Sequence, residues 1–278
     1  MNVIEVKDLR KEYGNVIAVD GISFEVRSKE IFSLLGPNGA GKTTTVEIIE
    51  GIRNATEGTV KIFGKSMDAH IKEKIGVLPQ EFQSFERLTV RETLIYFSRL
   101  YKKCGNIDEI ISIVGLKEKE NELYKNLSGG QRQRVGVAVS LVGNPELVFL
   151  DEPTTGLDPA ARRGLWNVIK KLKEDGKTVF LTTHYMEEAE YLSDRVAIMH
   201  NGKIISIGSP KELIEKYGEK TRIIISIKDK LIEIETEEDE IPELIEKIRR
   251  DGTKYDRIEI KRANLEDVFL KLTGARLK

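Results

Sequence analysis

The sequence predicts an α/β fold with a mixed central sheet, and three features of the chain indicate it. Residues 30–35, 147–150 and 177–182 are short apolar runs of the kind that form buried parallel strands. Segments near the N-terminus instead alternate apolar and polar residues, which predicts an antiparallel β-subdomain with one solvated face. From about residue 82 to 140 the patterns are helical without a strand, so we expect a helical subdomain inserted into the sheet domain.

Length and composition favour one large α/β domain with a small addition. The chain has 278 residues, of which 40% are hydrophobic and 33% charged, with a formal net charge of −1. A charge near zero gives no bulk attraction to nucleic acid or anionic lipid, so no nucleic-acid partner is expected. The single cysteine, Cys104, excludes an intrachain disulfide. Neither a signal-peptide pattern nor an apolar run of membrane-spanning length occurs, so a role at a membrane would require a partner subunit.

A change in composition near residue 221 predicts a domain boundary. We expect a first domain over residues 1–218 and an accessory α+β domain over 221–278. In the accessory domain the patterns predict a hairpin around Lys228 to Lys230, two helices and one further strand.

Residues 36–44 read G-P-N-G-A-G-K-T-T and match the phosphate-loop pattern G-x-x-x-x-G-K-[ST]. The loop follows the predicted strand 30–35 and precedes a predicted helix over 43–50. Its glycines leave backbone N–H groups free to surround a phosphate, Lys42 adds a positive charge, and Thr43 offers a hydroxyl to Mg²⁺. An ordinary glycine-rich turn is the alternative, but it does not explain why a strand precedes the loop, why a lysine occupies the pattern position and why a helix follows. The sequence therefore predicts a phosphate-loop nucleoside triphosphatase (P-loop NTPase) fold that binds a nucleoside triphosphate.

A second glycine-rich helix start occurs in L-S-G-G-Q-R-Q-R, residues 127–134. Ser128 is a good N-cap, but Gly129 and Gly130 in the first turn each cost up to about 1 kcal/mol relative to alanine. A flexible helix start would explain them, as would close approach of a ligand to the backbone. We favour a second anion-contacting helix N-terminus.

Polar residues follow three predicted strands. Asp151 and Glu152 come directly after 147–150, His184 follows 177–182, and Gln80 ends a short strand over 75–79. The carboxyl ends of parallel strands are where α/β sheets bind ligands, so one carboxylate can hold Mg²⁺ and the next can accept a proton from water. An Asp-Glu pair is often plain surface, and a histidine there can simply cap a helix. With a phosphate loop in the same chain, the functional interpretation is favoured.

Over about residues 1–217 the chain resembles the ATPase subunit of the ATP-binding cassette (ABC) family. The resemblance rests on six features that occur in this order: the phosphate loop, Gln80, L-S-G-G-Q, the Asp-Glu pair, G-L-D-P at 156–159, and His184. The resemblance implies that two such domains bind two ATP molecules head to tail. The implied catalytic residues are Lys42, Glu152 and His184, and the implied Mg²⁺ ligands are Thr43, Gln80 and Asp151. The implied nucleotide-binding residues are Tyr13, Gly36, Pro37, Asn38, Gly39, Ala40, Gly41, Lys42, Thr43 and Thr44. The residues implied to contact the nucleotide from the opposite subunit are Ser128, Gly129, Gly130, Gln131 and Asp158.

The resemblance also changes the interpretation of Tyr13. Its position in a turn alone favours a packing residue, whereas the resemblance implies that its ring stacks on adenine. It implies an integral membrane permease whose coupling helix is received by the helical insertion, and a peripheral position at the cytoplasmic face of the membrane. The run 184–190 and the tail 264–270 are similar to ATPases of drug, antibiotic and sodium exporters. A soluble ABC ATPase that acts on the ribosome or nucleic acid is the alternative, disfavoured by the single cassette. Lys29 and Ala55 depart from the glycine and proline usual in the family.

Overall fold

The computed structural model describes residues 1–218, 221–227, 230–236, 240–250 and 255–274. Contacts divide the chain into two units, Met1–Ser209 and Pro210–Lys278. The predicted boundary loop and the predicted hairpin turn fall largely on residues 219, 220, 228 and 229, which lie outside the described residues.

The first unit contains the strands and helices of the predicted α/β domain. In chain order these are β1 (Asn2–Tyr13), β2 (Val16–Arg27), β3 (Ile31–Leu35), α1 (Lys42–Ile49), β4 (Glu57–Ile62), α2 (Ala69–Lys72), β5 (Ile75–Leu78), α3 (Val90–Ser98), α4 (Ile107–Ile113), α5 (Gly129–Leu141), β6 (Leu147–Asp151), α6 (Pro159–Glu174), β7 (Thr178–Thr183), α7 (Met186–Leu192), β8 (Arg195–His200) and β9 (Lys203–Gly208).

The central sheet has the strand order β5-β6-β7-β3-β8-β9. The pairs from β5 to β8 are parallel and β9 is antiparallel to β8, so the predicted mixed sheet is confirmed. Every residue of β3, β6 and β7 is buried, as expected for strands covered on both faces. Phe32, Phe149 and Phe180 pack side by side on one face, with neighbouring ring centroids 5.6 Å apart. This packing fixes the strand ends from which the predicted site residues project.

A separate antiparallel sheet of order β2-β1-β4 forms the predicted N-terminal subdomain. Val6 is opposite Phe24 on one side and Val60 on the other. The alternation of the sequence is seen as alternating burial, and Phe24 stacks on Phe32 of the central sheet with ring centroids 5.4 Å apart. The subdomain therefore packs on the central sheet through its apolar face.

The helical subdomain consists of α3, α4 and the first turns of α5, with two short 3₁₀ helices between them. Thr89 caps α3 and forms the predicted capping box with Glu92. Val90 and Leu94 of α3 pack with Ile111 of α4 in the same apolar cluster as α5. The second half of α5 is fully buried and packs on β5 and β6, so this helix joins the subdomain to the sheet.

The second unit contains α8 (Pro210–Tyr217), β10 (Thr221–Ile227), β11 (Lys230–Thr236), α9 (Ile241–Arg250), β12 (Arg257–Lys261) and α10 (Leu265–Thr273). Its antiparallel sheet has the order β11-β10-β12, and Ile223 and Ile225 pack against Ile241 and Ile248 of α9. The α+β content agrees with the sequence prediction. The division differs from the predicted one, because α8 groups with α10 of this unit, although the sequence assigned it to the first domain.

Among the described residues, no helix combines the length and the apolar character needed to cross a membrane.

Candidate nucleotide-binding and hydrolysis site

The phosphate loop connects β3 to α1 and leaves the start of that helix open. Gly41 precedes α1 with φ of 103° and supplies no side-chain cap. A Cβ atom on Gly41 would lie 2.3 Å from the carbonyl oxygen of Ala18, and one on Gly36 would lie 2.3 Å from that of Met199. Both positions therefore require glycine for space, and Gly41 also for its backbone angle. The open helix start faces a cavity of about 370 Å³ lined by Ala18, Asn38, Gly39, Gly41, Lys42, Thr43, Thr44, Gln80 and Glu152.

The other predicted loop residues support this cavity from behind. The N–H of Gly36 donates to Thr183 O at 3.2 Å, and the carbonyl oxygen of Ala40 accepts from the N–H of Gly202 at 3.0 Å. Pro37 contributes its carbonyl oxygen to Lys42. The loop is thus fixed from the sheet side, while Asn38, Gly39 and the first turn of α1 face the cavity.

Lys42 is buried and in contact with both the loop and the end of β6. Its Nζ donates to Gly36 O at 2.9 Å and to Pro37 O at 3.1 Å. The same atom lies 3.1 Å from Glu152 Oε1, and the two side chains are 4% and 5% exposed. The structure therefore brings two of the predicted catalytic residues into direct contact at the floor of the phosphate cavity.

Glu152 has a left-handed backbone, with φ of 48°, directly after β6. Such a conformation is unfavourable for a residue with a side chain and often marks a functional site. Besides Lys42, its carboxylate contacts Thr155 Oγ1 at 3.2 Å. Burial raises the pKa of Glu152, but the nearby Lys42 ammonium and His184 outweigh it and leave the pKa below its usual value. The group is therefore held as a carboxylate, as a proton acceptor requires.

His184 follows β7 and lies beside Glu152. Its Nδ1 is 3.2 Å from Glu152 Oε2, and donates to it when Nδ1 carries the proton. The alternative that His184 caps the next helix is not observed, because α7 begins after Tyr185 without a side-chain cap. Lys42, Glu152 and His184 thus form one continuous chain of contacts.

Asp151 is the last residue of β6 and directly precedes Glu152. Its carboxylate accepts a hydrogen bond from Thr182 Oγ1. Burial raises the pKa of Asp151 above its usual value, although hydrogen bonds from Thr182 and Thr43 oppose the shift. The predicted Mg²⁺ ligands Thr43 and Asp151 are therefore adjacent, and Gln80 lines the same cavity as Thr43.

A second buried carboxyl group, which the sequence analysis did not identify, lies near Asp151. Glu50 follows α1 and is 6% exposed, and its Oε1 has no hydrogen-bond partner among the described residues. Burial, followed by the charge of Asp151, raises the pKa of Glu50 to about 8. Only the helical position of this residue was predictable, because its burial depends on contacts from distant parts of the chain.

Tyr13 lies at the end of β1, outside the lining of the phosphate cavity. Its ring is 41% exposed, with Lys11 Nζ 5.1 Å and Arg53 Cζ 5.8 Å from the ring centroid. A core packing role is therefore not observed for this ring, which is open to solvent and flanked by cations.

The second glycine-rich helix start is in a different cavity. Ser128 caps α5: its Oγ accepts from Gln131 N at 3.3 Å, and Gln131 Oε1 accepts from Ser128 N at 2.9 Å. Ser128, Gly130 and Gln131 line this cavity together with Gly115, Leu116, Lys117, Glu118, Lys119, Arg134 and Ala161. It shares no lining residue with the phosphate cavity. Within one chain, the phosphate loop and the start of α5, the two predicted anion sites, therefore do not line a common cavity.

The two glycines of α5 differ in their surroundings. A Cβ atom on Gly129 would meet nothing within 4 Å, whereas one on Gly130 would lie 2.8 Å from Ala161 Cβ of α6. Gly130 is thus explained by helix packing within the chain, and only Gly129 requires another reason. Asp158, the remaining predicted contact, is exposed and caps α6 by accepting from the N–H groups of Ala160 and Ala161.

The hairpin of β8 and β9 is a part of the site that the sequence analysis missed. Met199 contacts Gly36 and Gly41 through its carbonyl oxygen and its side chain, and Gly202 N bonds to the phosphate loop at Ala40 O. Its apolar run, 196–199, offered a strand signal, but no motif connected it to the phosphate loop. Lys29, where the family resemblance implies glycine, has φ of 63°, a backbone angle that glycine adopts most easily.

Comparisons with known proteins agree with this geometry. A family model described as ABC transporter matches residues 19–155. The chain is 36% identical over 301 residues to the Nod factor export ATP-binding protein I of Burkholderia orbicola, covering 99% of this chain and 98% of that protein. It is 36% identical over 233 residues to the linearmycin resistance ATP-binding protein LnrL of Bacillus subtilis, covering 81% and 75%.

Solved structures give the same result. The structure of cbiO1 from Clostridium perfringens, part of the ABC transporter complex cbiONQ, has a TM-score of 0.71 at 27% identity, covering 77% of this chain and 91% of that one. The dimeric structure of the bacterial ABC transporter cassette MJ0796 has a TM-score of 0.66 at 29% identity, covering 74% and 98%. The predicted fold class and the family resemblance are confirmed. The chain belongs to the ABC transporter family, as one of its ATP-binding ATPase subunits.

Proposed function

We propose that this chain hydrolyses ATP as one half of a head-to-tail pair and thereby drives a membrane exporter. The observation that carries the proposal is the contact chain of Lys42, Glu152 and His184, of which the first two line the phosphate cavity. A cation, a proton acceptor and an imidazole lie in mutual contact there, which supports a shared role at the terminal phosphate of a bound nucleotide.

In the proposed reaction the triphosphate replaces Glu152 as the partner of Lys42. Lys42 then neutralises phosphate oxygens, and the α1 N–H groups bind the remaining charge. Because Lys42 is the main opponent of the burial that raises the pKa of Glu152, its transfer to phosphate makes Glu152 more basic. Glu152 then accepts a proton from the water that attacks the γ-phosphate, while His184 orients Glu152 and contacts the phosphate. The products are ADP and inorganic phosphate.

The proposed cofactor is Mg²⁺, held by Thr43, Gln80 and Asp151. The site fits a hard cation, because the donors are oxygens and two buried carboxyl groups, Asp151 and Glu50, have raised pKa values that a nearby positive charge would lower. Bound by these residues, the ion would neutralise charge that develops on the phosphate groups.

The head-to-tail pairing is proposed because the start of α5 is capped by its own residues and is exposed to solvent. Ser128 and Gly129 are exposed, and neither lines the phosphate cavity of its own chain. In the pair they would contact the ATP held by the opposite copy, with Gln131 and Asp158 at the seam. The resemblance to a dimeric cassette supports this arrangement. Tyr13 would stack on the adenine ring.

The membrane partner is proposed to be a permease that docks on the helical subdomain. A groove of about 580 Å³ lies there, lined by Lys72, Glu73, Val77, Pro79, Glu81, Phe82, Gln83, Phe97, Leu100, Tyr101 and Val139. Leu100, one of the lining residues, is 68% exposed, which suits an apolar partner. The chain would then lie at the cytoplasmic face of the membrane. The relatives named for Nod factor export and linearmycin resistance support the export direction. The unit Pro210–Lys278 is proposed to be an accessory domain.

The test is Glu152→Gln, which keeps the shape of the side chain and removes its capacity to accept a proton. We expect ATP binding to persist, kcat to fall about a thousandfold, and an ATP-dependent dimer to accumulate in size-exclusion chromatography. Glu187→Gln, on the exposed face of α7, is the matched control and should hydrolyse ATP normally. Wild-type turnover by Glu152→Gln would overturn the proposed chemistry.

A further inference from the structure

One buried hydroxyl contacts both Asp151, the last residue of β6, and Glu152, the residue after it. Thr182 lies on β7, in register with Asp151 of the adjacent parallel strand, and is completely buried. Its Oγ1 donates to Asp151 Oδ1 and accepts from the N–H of Glu152 at 2.9 Å. The N–H of Glu152 also bonds to the main-chain oxygen of Thr182 at 3.2 Å.

The directions of these bonds are fixed by chemistry. A hydroxyl has one proton to donate, and an ionised carboxylate can only accept, so the proton of Thr182 points to Asp151. The lone pairs that remain face the N–H of Glu152, whose backbone has the unfavourable φ of 48°. The hydroxyl thus stabilises one rotamer of Asp151 and the strained main chain of Glu152 at the same time.

We propose that Thr182 is a positioning residue for hydrolysis, which sets the carboxylate of Asp151 toward the cation and the side chain of Glu152 toward water. The inference rests on the roles proposed above for these two residues. It goes beyond them because Thr182 lies outside the lining of the phosphate cavity and acts only through its neighbours.

The chain offers a matched control on the same strand. Thr178 is on the same face of β7, four residues earlier, and is also buried. Its Oγ1 accepts from a backbone N–H, that of Lys29, at 3.0 Å. Valine has the shape of threonine without the hydroxyl and suits a strand, so Thr182→Val and Thr178→Val each remove one buried hydroxyl from equivalent surroundings. Only the first removes a contact with Asp151.

The experiment measures kcat and the effect of Mg²⁺ on nucleotide affinity. We expect kcat of Thr182→Val to fall about 10- to 100-fold, the factor for loss of a hydrogen bond to a buried charged group. By calorimetry with a non-hydrolysable ATP analogue, the increase in affinity that Mg²⁺ produces should fall by a similar factor. The affinity without metal should stay within about twofold of wild type. Thr178→Val should match wild type in both measurements, and Thr182→Ser, which keeps the hydroxyl, should restore them.

Equal kcat and equal Mg²⁺ effects in Thr182→Val and Thr178→Val would overturn the inference. If Thr182→Val melts well below Thr178→Val, Thr182→Cys is measured by the same criteria, because its thiol is a weaker donor at the same place. Glu152→Gln separates this inference from the proposed function. An inactive Glu152→Gln with a fully active Thr182→Val removes only the role of Thr182, whereas an active Glu152→Gln removes the proposed function itself.

Discussion

The two glycine-rich helix starts, at α1 and α5, solve the same local problem in opposite ways. An α-helix begins with backbone N–H groups that have no partner within the helix. At α1 no side chain caps them, and Gly41 and Gly36 are pressed against carbonyl oxygens of other segments. At α5, Ser128 and Gln131 form a complete capping box, and Gly129 has open space around it.

The difference indicates which start needs a ligand to be complete. The α1 start contacts strands from both ends of the first unit and stays open toward a cavity lined by the buried Lys42 and Glu152. The α5 start is capped by its own side chains, which bind the N–H of Gln131, while Gly129 remains exposed and accessible to another molecule. The glycines are therefore required for different reasons. Those at α1 are required for space and backbone angle, and Gly130 is required for helix packing. Only Gly129 is explained by the access it gives another molecule to the backbone.

The largest expected contrast comes from adding one methyl group to each start. Gly41→Ala forces a side chain into a φ of 103° and against Ala18 O, so the loop must change shape. We expect ATP affinity to fall about a thousandfold, or about 4 kcal/mol. Gly129→Ala meets no atom and should leave the ATP affinity of the isolated chain within about twofold. Calorimetric titration with ATP compares the two, and similar losses in both variants would contradict the distinction between the starts.

The second contrast is in buried charge. The buried part of α5 contains only uncharged residues, whereas α1 ends at Glu50, whose pKa is raised to about 8 by burial and by Asp151. The folded chain therefore holds a proton between about pH 4.5 and 8 that the unfolded chain releases, so stability falls as pH rises through this window. From pH 6 to 8 we expect wild type to lose about 2 kcal/mol relative to Glu50→Gln, which cannot ionise.

Urea unfolding of wild type and Glu50→Gln at pH 6 and pH 8 measures this difference. Other titrating groups are common to both proteins, so they largely cancel in the comparison. The same pH dependence in both proteins would show that Glu50 does not titrate in this range and that its burial does not make stability depend on pH.

Local patterns predicted the elements that carry the chemistry. The apolar runs of β3, β6 and β7 and the cap at Ser128 are properties of adjacent residues, so the helix start at α5 and the strand ends were predictable. The contact of Lys42 with Glu152 was not predicted, because the two residues lie far apart in the chain and meet only through the packing of the central sheet. The domain division was placed after α8, since no composition change marks the contacts of α8 with α10.

The features that escaped prediction depend on which atoms meet across the fold. The two contacts of the Thr182 hydroxyl require the register of β6 and β7. The proximity of Glu50 to Asp151 requires α1 to pack on β6. The support of the phosphate loop by Met199 requires β8 to lie next to β3. Residue types at these positions carry no signal, since a glutamate in a helix and a threonine or methionine in a strand are ordinary.

The smallest contrast tests whether the cap at α5 also serves the opposite subunit. Ser128→Ala removes the N-cap and should cost about 1 kcal/mol of unfolding free energy, which Ser128→Asn should largely recover. Thr89→Ala is the matched control, because Thr89 caps α3 with the same kind of capping box. Both alanine variants should lose similar stability in thermal unfolding and bind ATP as isolated chains. Only Ser128→Ala should lower the ATPase rate at concentrations where the wild-type chain forms a dimer. Equal ATPase rates in the two variants would restrict Ser128 to capping its own helix.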